Sequence, residues 1–522
     1  MDQLGALDIV IFVGYFAIIL GIGFFAGRGE KKDAKEYFLA GGKLPWYIIG
    51  TSLVAGSVNS EQMVGTVGIA WKEGMKIVNW ETWGLPIIPI MVFLFLPIFL
   101  RNRISTVPEF MEKRFGAPCR NYVTIVTIFY YVFASMTVAV YGGAITISTY
   151  FGFPLHYAIW GIIAFTTIYT VYGGLSAVVW TDLVQTLLIT VGGVMLFCFA
   201  YSKTGGLAAM EQANPERWHL IQPANDLIVP WPGLIIHTMT TLFFYYVCNQ
   251  VLMQKVLAAR SERDARVGTI FCTVLNAPRP LITAMAGLLA FYIVKESQVQ
   301  TPDQIFSILL KTCVPMAFRS VILVAIIAAM VSTTAALANS SSALLTLDCY
   351  HKYINRNASN KQLVRFGRLT MATILVLVGL WCPMVERFQG IFMYFQQVMI
   401  YIGTPIACVF LIAILWRRAN GIGAFTGLVA VTPVLMICGF MFSDRIAFQY
   451  IAGIGWLATL AVVVAVSLAT KPQELQSIKS LIWKKEMVHV AGETSKPPLH
   501  MTQWFWLLIG VIIFGFWYIR FW

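Results

Sequence analysis

The chain is short of charge: Asp, Glu, Lys and Arg together make up 12% of its 522 residues, and acids are the scarcer sign, 24 against 37 bases. Soluble domains carry about a quarter charged residues. A hydrophobic content of 58% and a mean hydropathy of +0.74 complete the exclusion of a soluble fold. Polar stretches long enough for a separate domain are missing too; only 202–232 and 471–500 are polar for any distance. Cysteine is thin and unpatterned. Nine residues from Cys119 to Cys438 show no metal-ligand spacing and read as small core side chains. There is no phosphate-binding glycine loop, since Gly42-Lys43-Leu44 lacks the upstream glycine and the hydroxyl residue, and no H-E-x-x-H or nucleophile elbow. A membrane enzyme therefore has no motif to rest on, and no enzyme activity is expected. The net charge of +13 does not point to nucleic acid, because the basic residues fall in short loops between apolar runs.

What is present is a series of apolar runs of bilayer-spanning length, near 6–27, 44–70, 77–100, 119–150, 155–172, 181–201, 232–254, 268–294, 314–346, 366–385, 390–416, 420–441, 447–469 and 503–521. They predict an all-α polytopic membrane protein of about fourteen helices. The run at 9–26 lacks a clear cleavage site and reads as the first spanning helix rather than a removed signal. Lys and Arg set the orientation. With the N-terminus outside, the inner loops hold twenty-six of them and the outer loops ten, with Arg279 left inside the membrane. Both termini are accordingly expected outside a cell membrane. The inner loop near Gly173 has no Lys or Arg at all.

The chain is organised around 51–65, TSLVAGSVNSEQMVG, where Gly56, Ser57, Asn59, Ser60, Glu61 and Gln62 interrupt a run that should cross the bilayer. A carboxylate at bilayer depth costs about 2.5–3.5 kcal/mol on insertion scales unless it faces a cavity or partner. A helix broken there frees backbone carbonyls for an ion, as in the discontinuous helices of secondary transporters; a softened helix with a polar packing face is the plainer alternative. A second break is expected near 244–250, FYYVCNQ, so that two five-helix halves each open on an interrupted helix. The stretch 325–339, AIIAAMVSTTAALAN, is the expected partner of the first break. Its small residues permit close approach, and Ser332, Thr333 and Thr334 offer hydroxyl oxygens. The same hydroxyls also suit back-bonding to their own helix.

Five motifs carry a resemblance: TSLVAGSVNSEQMVG at 51–65, TVPEFMEKRFG at 106–116, YGGLSAVVWTDLVQ at 172–185, NQVLMQKVLAA at 249–259, and AAMVSTTAALANSSSALLTLDCY at 328–350. Long, ordered and spaced along nearly the whole chain, they resemble the sodium:solute symporters, and within them the sodium/glucose-type cotransporters. The resemblance implies an inverted five-plus-five core in one transporter domain: an extra helix at 6–27, repeats at 44–201 and 232–416, and three helices in 420–522. It implies a co-transported sodium ion held by the carbonyls of Ala55, Val58 and Ala329 and the hydroxyls of Ser332 and Thr333, with Asp182 near the inner exit path. Asp182 reads alternatively as a helix-start carboxylate. One sodium per solute is expected, because Ala335 and Ala336 stand where a second site would need hydroxyls. For the solute, the resemblance implies Gln62, Glu81 and Gln396, with Trp80, Tyr141, Tyr245 and Phe392 at gate and stacking positions. The chain departs from the sugar-binding members at three places: Leu242 for an Asn, Asn276 for a Lys, and Gly84 for a Ser. Arg279, between Pro278 and Pro280, is an added cation that either pairs internally with a carboxylate or caps freed carbonyls, or else reads an anionic group on the solute. The function implied is sodium-coupled import of a hexose such as glucose or galactose, by a monomeric unit in a lipid bilayer. A sugar acid is the alternative solute; a sensor or channel is the alternative class.

Overall fold

Where polar residues or prolines interrupt the apolar runs, the helices break. The computed structural model describes residues 42–58, 61–387, 390–442, 445–491 and 497–522, with isolated residues between 10 and 21. Most of the expected first helix at 6–27, and Asn59 and Ser60, lie outside the described residues. Helix α1, Trp46–Ser57, stops at Val58, whose backbone turns extended (φ −101°, ψ 95°). The chain resumes as a π turn, Glu61–Gly65, and then α2, Thr66–Glu73. Next come a span pieced from short helical turns, α3, Met75–Arg101; a loop helix α4, Val107–Phe115; α5, Ala117–Phe151; and α6, Leu155–Ser202.

The second half opens on α7, Trp231–His237, which passes through two π turns to an extended Asn249. The Asn249 side chain accepts from Val251 N at 3.0 Å and starts α8, Gln250–Leu257. This is the expected second break. It follows from capping, because Asn satisfies a helix-start amide that has no partner within its own helix. Helix α9, Glu262–Leu275, ends at Asn276; Pro278 and Pro280 remove two backbone donors before the chain re-enters helix as α10, Ala286–Ile293. Helices α11, Ile305–Cys313, α12, Met316–Ala343, α13, Asn360–Trp381, and α14, Ile391–Leu415, follow. Last come α15, Gly421–Phe442, α16, Phe448–Ala469, and α17, Gln503–Arg520.

Among the described residues nine helices are long and apolar enough to cross a bilayer, with two shorter apolar helices beside them. The broken pairs, α1 with α2 and α7 with α8, fall on two more of the expected runs, 44–70 and 232–254. One expectation is corrected. The loop expected near Gly173 is not a break: α6 is helical over 48 residues. No proline lies there to remove a backbone donor, so the glycines alone do not end it.

The core is α1 and α2 wrapped by α6, α9, α10 and α12. Close approach is built in: a Cβ at Gly268 on α9 would lie 2.5 Å from Trp46 O, and one at Gly287 on α10 would lie 2.2 Å from Val67 O. The loops gather on two faces as the charge count divides them. On one face Leu220 N bonds Phe521 O at 2.9 Å, Lys76 pairs with Asp226 at 2.8 Å, and Arg520 pairs with Glu211 at 2.8 Å. On the other, Arg101 pairs with Glu262 at 3.0 Å, and Arg114 donates to the carbonyls of Ala413, Trp416 and Ala419. There too Arg120 joins Glu112 and Asp348, and Lys352 also reaches Glu112. Burial pushes the Glu112 carboxyl up, but Lys352 and Arg120 together hold it below the usual carboxylate range.

Candidate ion and solute site

The site is built at the break after α1. Ser57 and Val58 end the helix, so its last carbonyls lose their onward partners, and Ala55 and Val58 stand there fully buried. Across from them α12 presents Ala329, Ser332 and Thr333, all buried. The Thr333 hydroxyl has no hydrogen-bond partner among the described residues. Ser332 is engaged: its hydroxyl donates to Asp182 Oδ1 at 2.5 Å. Asp182 lies inside α6, not at a helix start, so its surroundings must come from other helices. Its other oxygen accepts from Ser52 Oγ at 2.5 Å and from Lys255 Nζ at 2.9 Å. Lys255 also donates to Ser52 O at 2.7 Å, and both members of the ion pair are wholly buried.

Lys255 is the residue that sequence reasoning misplaced, since the charge count assigned it to an inner loop. Its position inside the apolar motif NQVLMQKVLAA was the signal that it belongs to the core. Ser52, one turn before Gly56, was not singled out at all. A buried cation survives only beside a partner that offsets its lost hydration, and Asp182 is that partner.

The expected solute end lies past the break, on the π turn that begins with Glu61. Glu61 is fully buried and accepts from Gln62 Nε2 at 2.7 Å. Glu81, on α3, accepts from Thr283 Oγ1 at 2.6 Å, and its Oε1 lies 3.9 Å from Arg279 Nε. Arg279 also reaches Glu81 O at 3.5 Å and the Tyr246 hydroxyl. The added cation thus faces a carboxylate of its own protein, the first of its two expected readings. Glu61 stands within electrostatic reach of both Arg279 and Glu81. Several polar atoms here are buried without a partner among the described residues: Glu61 Oε1, Glu81 Oε2, Asn276 Oδ1, Gln396 Oε1 and Trp80 Nε1.

Aromatic rings wall this end. Trp80 meets Phe392 edge-on at 5.6 Å and stacks on Phe448 at 5.4 Å, and Tyr245 Oη reaches Gly56 O at 3.4 Å. Tyr141, on α5, is buried, and α5 packs against both the π turn at Glu61 and α14, which carries Phe392 and Gln396. Sequence reasoning missed His237, which sits 4.2 Å from the Trp80 ring with neither ring nitrogen partnered among the described residues. It also missed Thr283 and Tyr246. The latter explains one departure: a Cβ at Gly84 would lie 2.8 Å from Tyr246 Oη, so the tyrosine fills the space a serine side chain would need. Glu81, Gly84, Tyr246 and Asn276 line one cavity of about 50 Å³, together with Trp517 of α17. That is room for a water or two.

The model of the sodium:solute symporter family matches residues 37–430. The sodium/glucose cotransporter of Vibrio parahaemolyticus is 31% identical over 501 residues, covering 90% of this chain and 91% of that one. Sodium/myo-inositol cotransporter 2 of Bos taurus is 29% identical, covering 96% and 83%. Among solved structures, a Na+-coupled sialic acid symporter in a substrate-bound outward-open state is similar at a TM-score of 0.81 and 19% identity, covering 90% of this chain and 100% of that one. Broken helices, fold and family model converge, and the chain belongs to the sodium:solute symporter family.

Proposed function

We propose that the chain is a sodium-coupled symporter for a small neutral polyhydroxylated solute, a hexose or an inositol, working by alternating access. The observation that carries the solute class is the set of unpartnered buried atoms on Glu61, Glu81, Asn276, Gln396 and Trp80. Acceptors and donors from separate helices, in an apolar setting, suit hydroxyls that both donate and accept. The names of the relatives, glucose and myo-inositol cotransporters, point to the same chemistry. The charges favour a neutral solute. Arg279 already faces the Glu81 carboxylate of its own protein, so it is engaged rather than held open for an anionic group on the solute.

Coupling follows from the break itself. Ala55 and Val58 would give carbonyls to sodium, and Gln62 lies four residues beyond Val58 on the same interrupted strand of chain. An ion that orders those carbonyls also fixes where Glu61 and Gln62 stand, so each ligand favours binding of the other. Ala329, Ser332 and Thr333 would complete the ion's ligands, while Trp80, Tyr141, Tyr245 and Phe392 would close over the solute. Asn276 and Arg279 would add polar groups beside Glu81. With one sodium per solute, 100 mV contributes about 2.3 kcal/mol and a tenfold sodium gradient about 1.4 kcal/mol. Together they support accumulation of a few hundredfold for a neutral solute. The working unit is one chain, with both termini outside, as the loop charges direct.

Uptake into proteoliposomes tests the reading. Glucose, galactose, myo-inositol and a sugar acid are offered with and without an inward sodium gradient. Saturable, sodium-dependent uptake of a neutral polyol is expected. Uptake of the sugar acid alone, lost in Arg279→Ala, replaces the solute class; ion flux without any solute dependence replaces the carrier with a channel.

A further inference from the structure

Next to the proposed sodium ligands, four helices converge on a second cationic position, already occupied by the protein itself. Ser52 comes from α1, Asp182 from α6, Lys255 from α8 and Ser332 from α12, and all four are fully buried. The ammonium of Lys255 lies 2.9 Å from the Asp182 carboxylate and 2.7 Å from the Ser52 carbonyl. The Ser52 and Ser332 hydroxyls each reach Asp182 at 2.5 Å. Carboxylate, backbone carbonyl and hydroxyl are the oxygen types a small hard cation takes. The room is made for the ammonium: a Cβ at Gly56 would come within 2.9 Å of Lys255 Nζ.

We infer that Lys255 is a tethered cation that takes the place of a second transported sodium at Asp182, and so fixes the coupling at one sodium per solute. The inference rests on the sodium-coupled reading above. A lysine head group and a sodium ion carry the same single charge, and one carboxylate in a dry site balances one such charge, not two. The hydroxyls a mobile ion would also need are missing from the next turn of α12, where Ala335 and Ala336 are buried. Because the ammonium is covalently held, it completes the charge balance of Asp182 without moving across the membrane. It also stays within one turn of Ala55 and Val58, where it keeps the end of α1 attached to α6 and α8. Removing it leaves Asp182 with its two hydroxyls, the Ser52 carbonyl and an uncompensated charge, which is a sodium site in the making.

Equilibrium binding of radioactive sodium to the purified full chain in nanodiscs, without solute, reads this directly. Wild type binds one sodium per chain. Two sodium ions per chain overturn the inference while leaving sodium coupling intact; no sodium at all overturns the sodium-coupled reading, and the inference with it. Lys255→Met gains a second sodium, and its melting temperature rises with sodium far more steeply than that of wild type. The double variant Lys255→Met/Asp182→Asn, neutral at both positions, loses that gain. Lys255→Met protein that binds one sodium with wild-type affinity overturns the inference. So does Lys255→Met protein that stays unfolded at every sodium concentration while the neutral pair folds, because sodium then fails to replace the ammonium.

Discussion

The ion end and the solute end of this site are equally buried, yet their polar atoms are matched in opposite ways. Around Asp182 both carboxylate oxygens are engaged, by Ser332 on one side and by Ser52 and Lys255 on the other. Around Glu81 one oxygen accepts from Thr283 and the other has no partner among the described residues, like Asn276 Oδ1 and Gln396 Oε1. A satisfied polar network holds helices in one arrangement. An unsatisfied one costs about 1–3 kcal/mol per orphaned group until something supplies the missing bonds. On the proposed function the ion end is therefore mostly scaffold, with the Thr333 and Thr334 hydroxyls unpartnered among the described residues, and the solute end is mostly receptor. Mutations at the first should be felt in stability and at the second in affinity.

The largest effect expected is at Asp182. Asp182→Ala leaves the Lys255 ammonium buried and alone, and breaking a buried ion pair costs about 3–5 kcal/mol. The melting temperature in nanodiscs should fall sharply and should not recover in high sodium. An unchanged melting temperature would mean that the pair is not scaffold and would dissolve the contrast. Glu81→Gln is the matching test at the other end. It keeps the shape but takes away the carboxylate that Arg279 faces at 3.9 Å, so stability should fall, by less than at Asp182 because Glu61 remains within reach of the guanidinium. Binding of a polyol should weaken by about 1.5–3 kcal/mol, roughly ten- to a hundredfold, the worth of a hydrogen bond to a charged group. Isothermal titration with the transported solute reads it.

A third test asks whether Tyr246 has replaced the serine expected at position 84. Gly84→Ser puts a Cβ 2.8 Å from Tyr246 Oη and 2.9 Å from the ring. Overpacking of that kind costs about 1–3 kcal/mol. Combined with Tyr246→Leu, the cost should shrink, giving a coupling between the two positions that a melting-temperature cycle measures. Additive losses would show that the tyrosine does not own that space.

Much of this contrast was legible beforehand, and the rest was hidden for identifiable reasons. The breaks at 56–62 and at Asn249 announce themselves as polar residues inside runs that must cross a bilayer. The last helices are almost as easy: 420–441 and 447–469 were expected against Gly421–Phe442 and Phe448–Ala469. Lys255 was hidden because counting charges assigns lysines to loops, and its partner lies 73 residues away in sequence. Tyr246 was hidden because a departure at Gly84 shows what is missing and not what fills the gap. The unbroken α6 was hidden because the apolar runs 155–172 and 181–201 read as separate spans, whereas helical hydrogen bonds end only when a donor is lost or the backbone turns away. Sequence patterns report what each residue tolerates; which distant residue meets it is set by packing.

The smallest effect expected separates two neighbouring hydroxyls on α12. Ser332 already donates to Asp182, so Ser332→Ala removes a protein hydrogen bond and should lower both stability and sodium affinity. Thr333 has no protein partner to lose among the described residues. Thr333→Ala should therefore leave the melting temperature of the sodium-free protein unchanged. It should still raise the sodium concentration for half-maximal uptake several-fold, since one lost hydrogen-bonding or ligand oxygen is worth about 1 kcal/mol. Sodium-activation curves in proteoliposomes, set beside melting curves without sodium, measure both. A Thr333→Ala protein with wild-type sodium activation would place the ion away from α12 and leave the orphaned hydroxyl as packing. A protein that loses stability without sodium would show that Thr333 belongs to the scaffold after all, and that the division between the two ends runs through α6 and α8 alone.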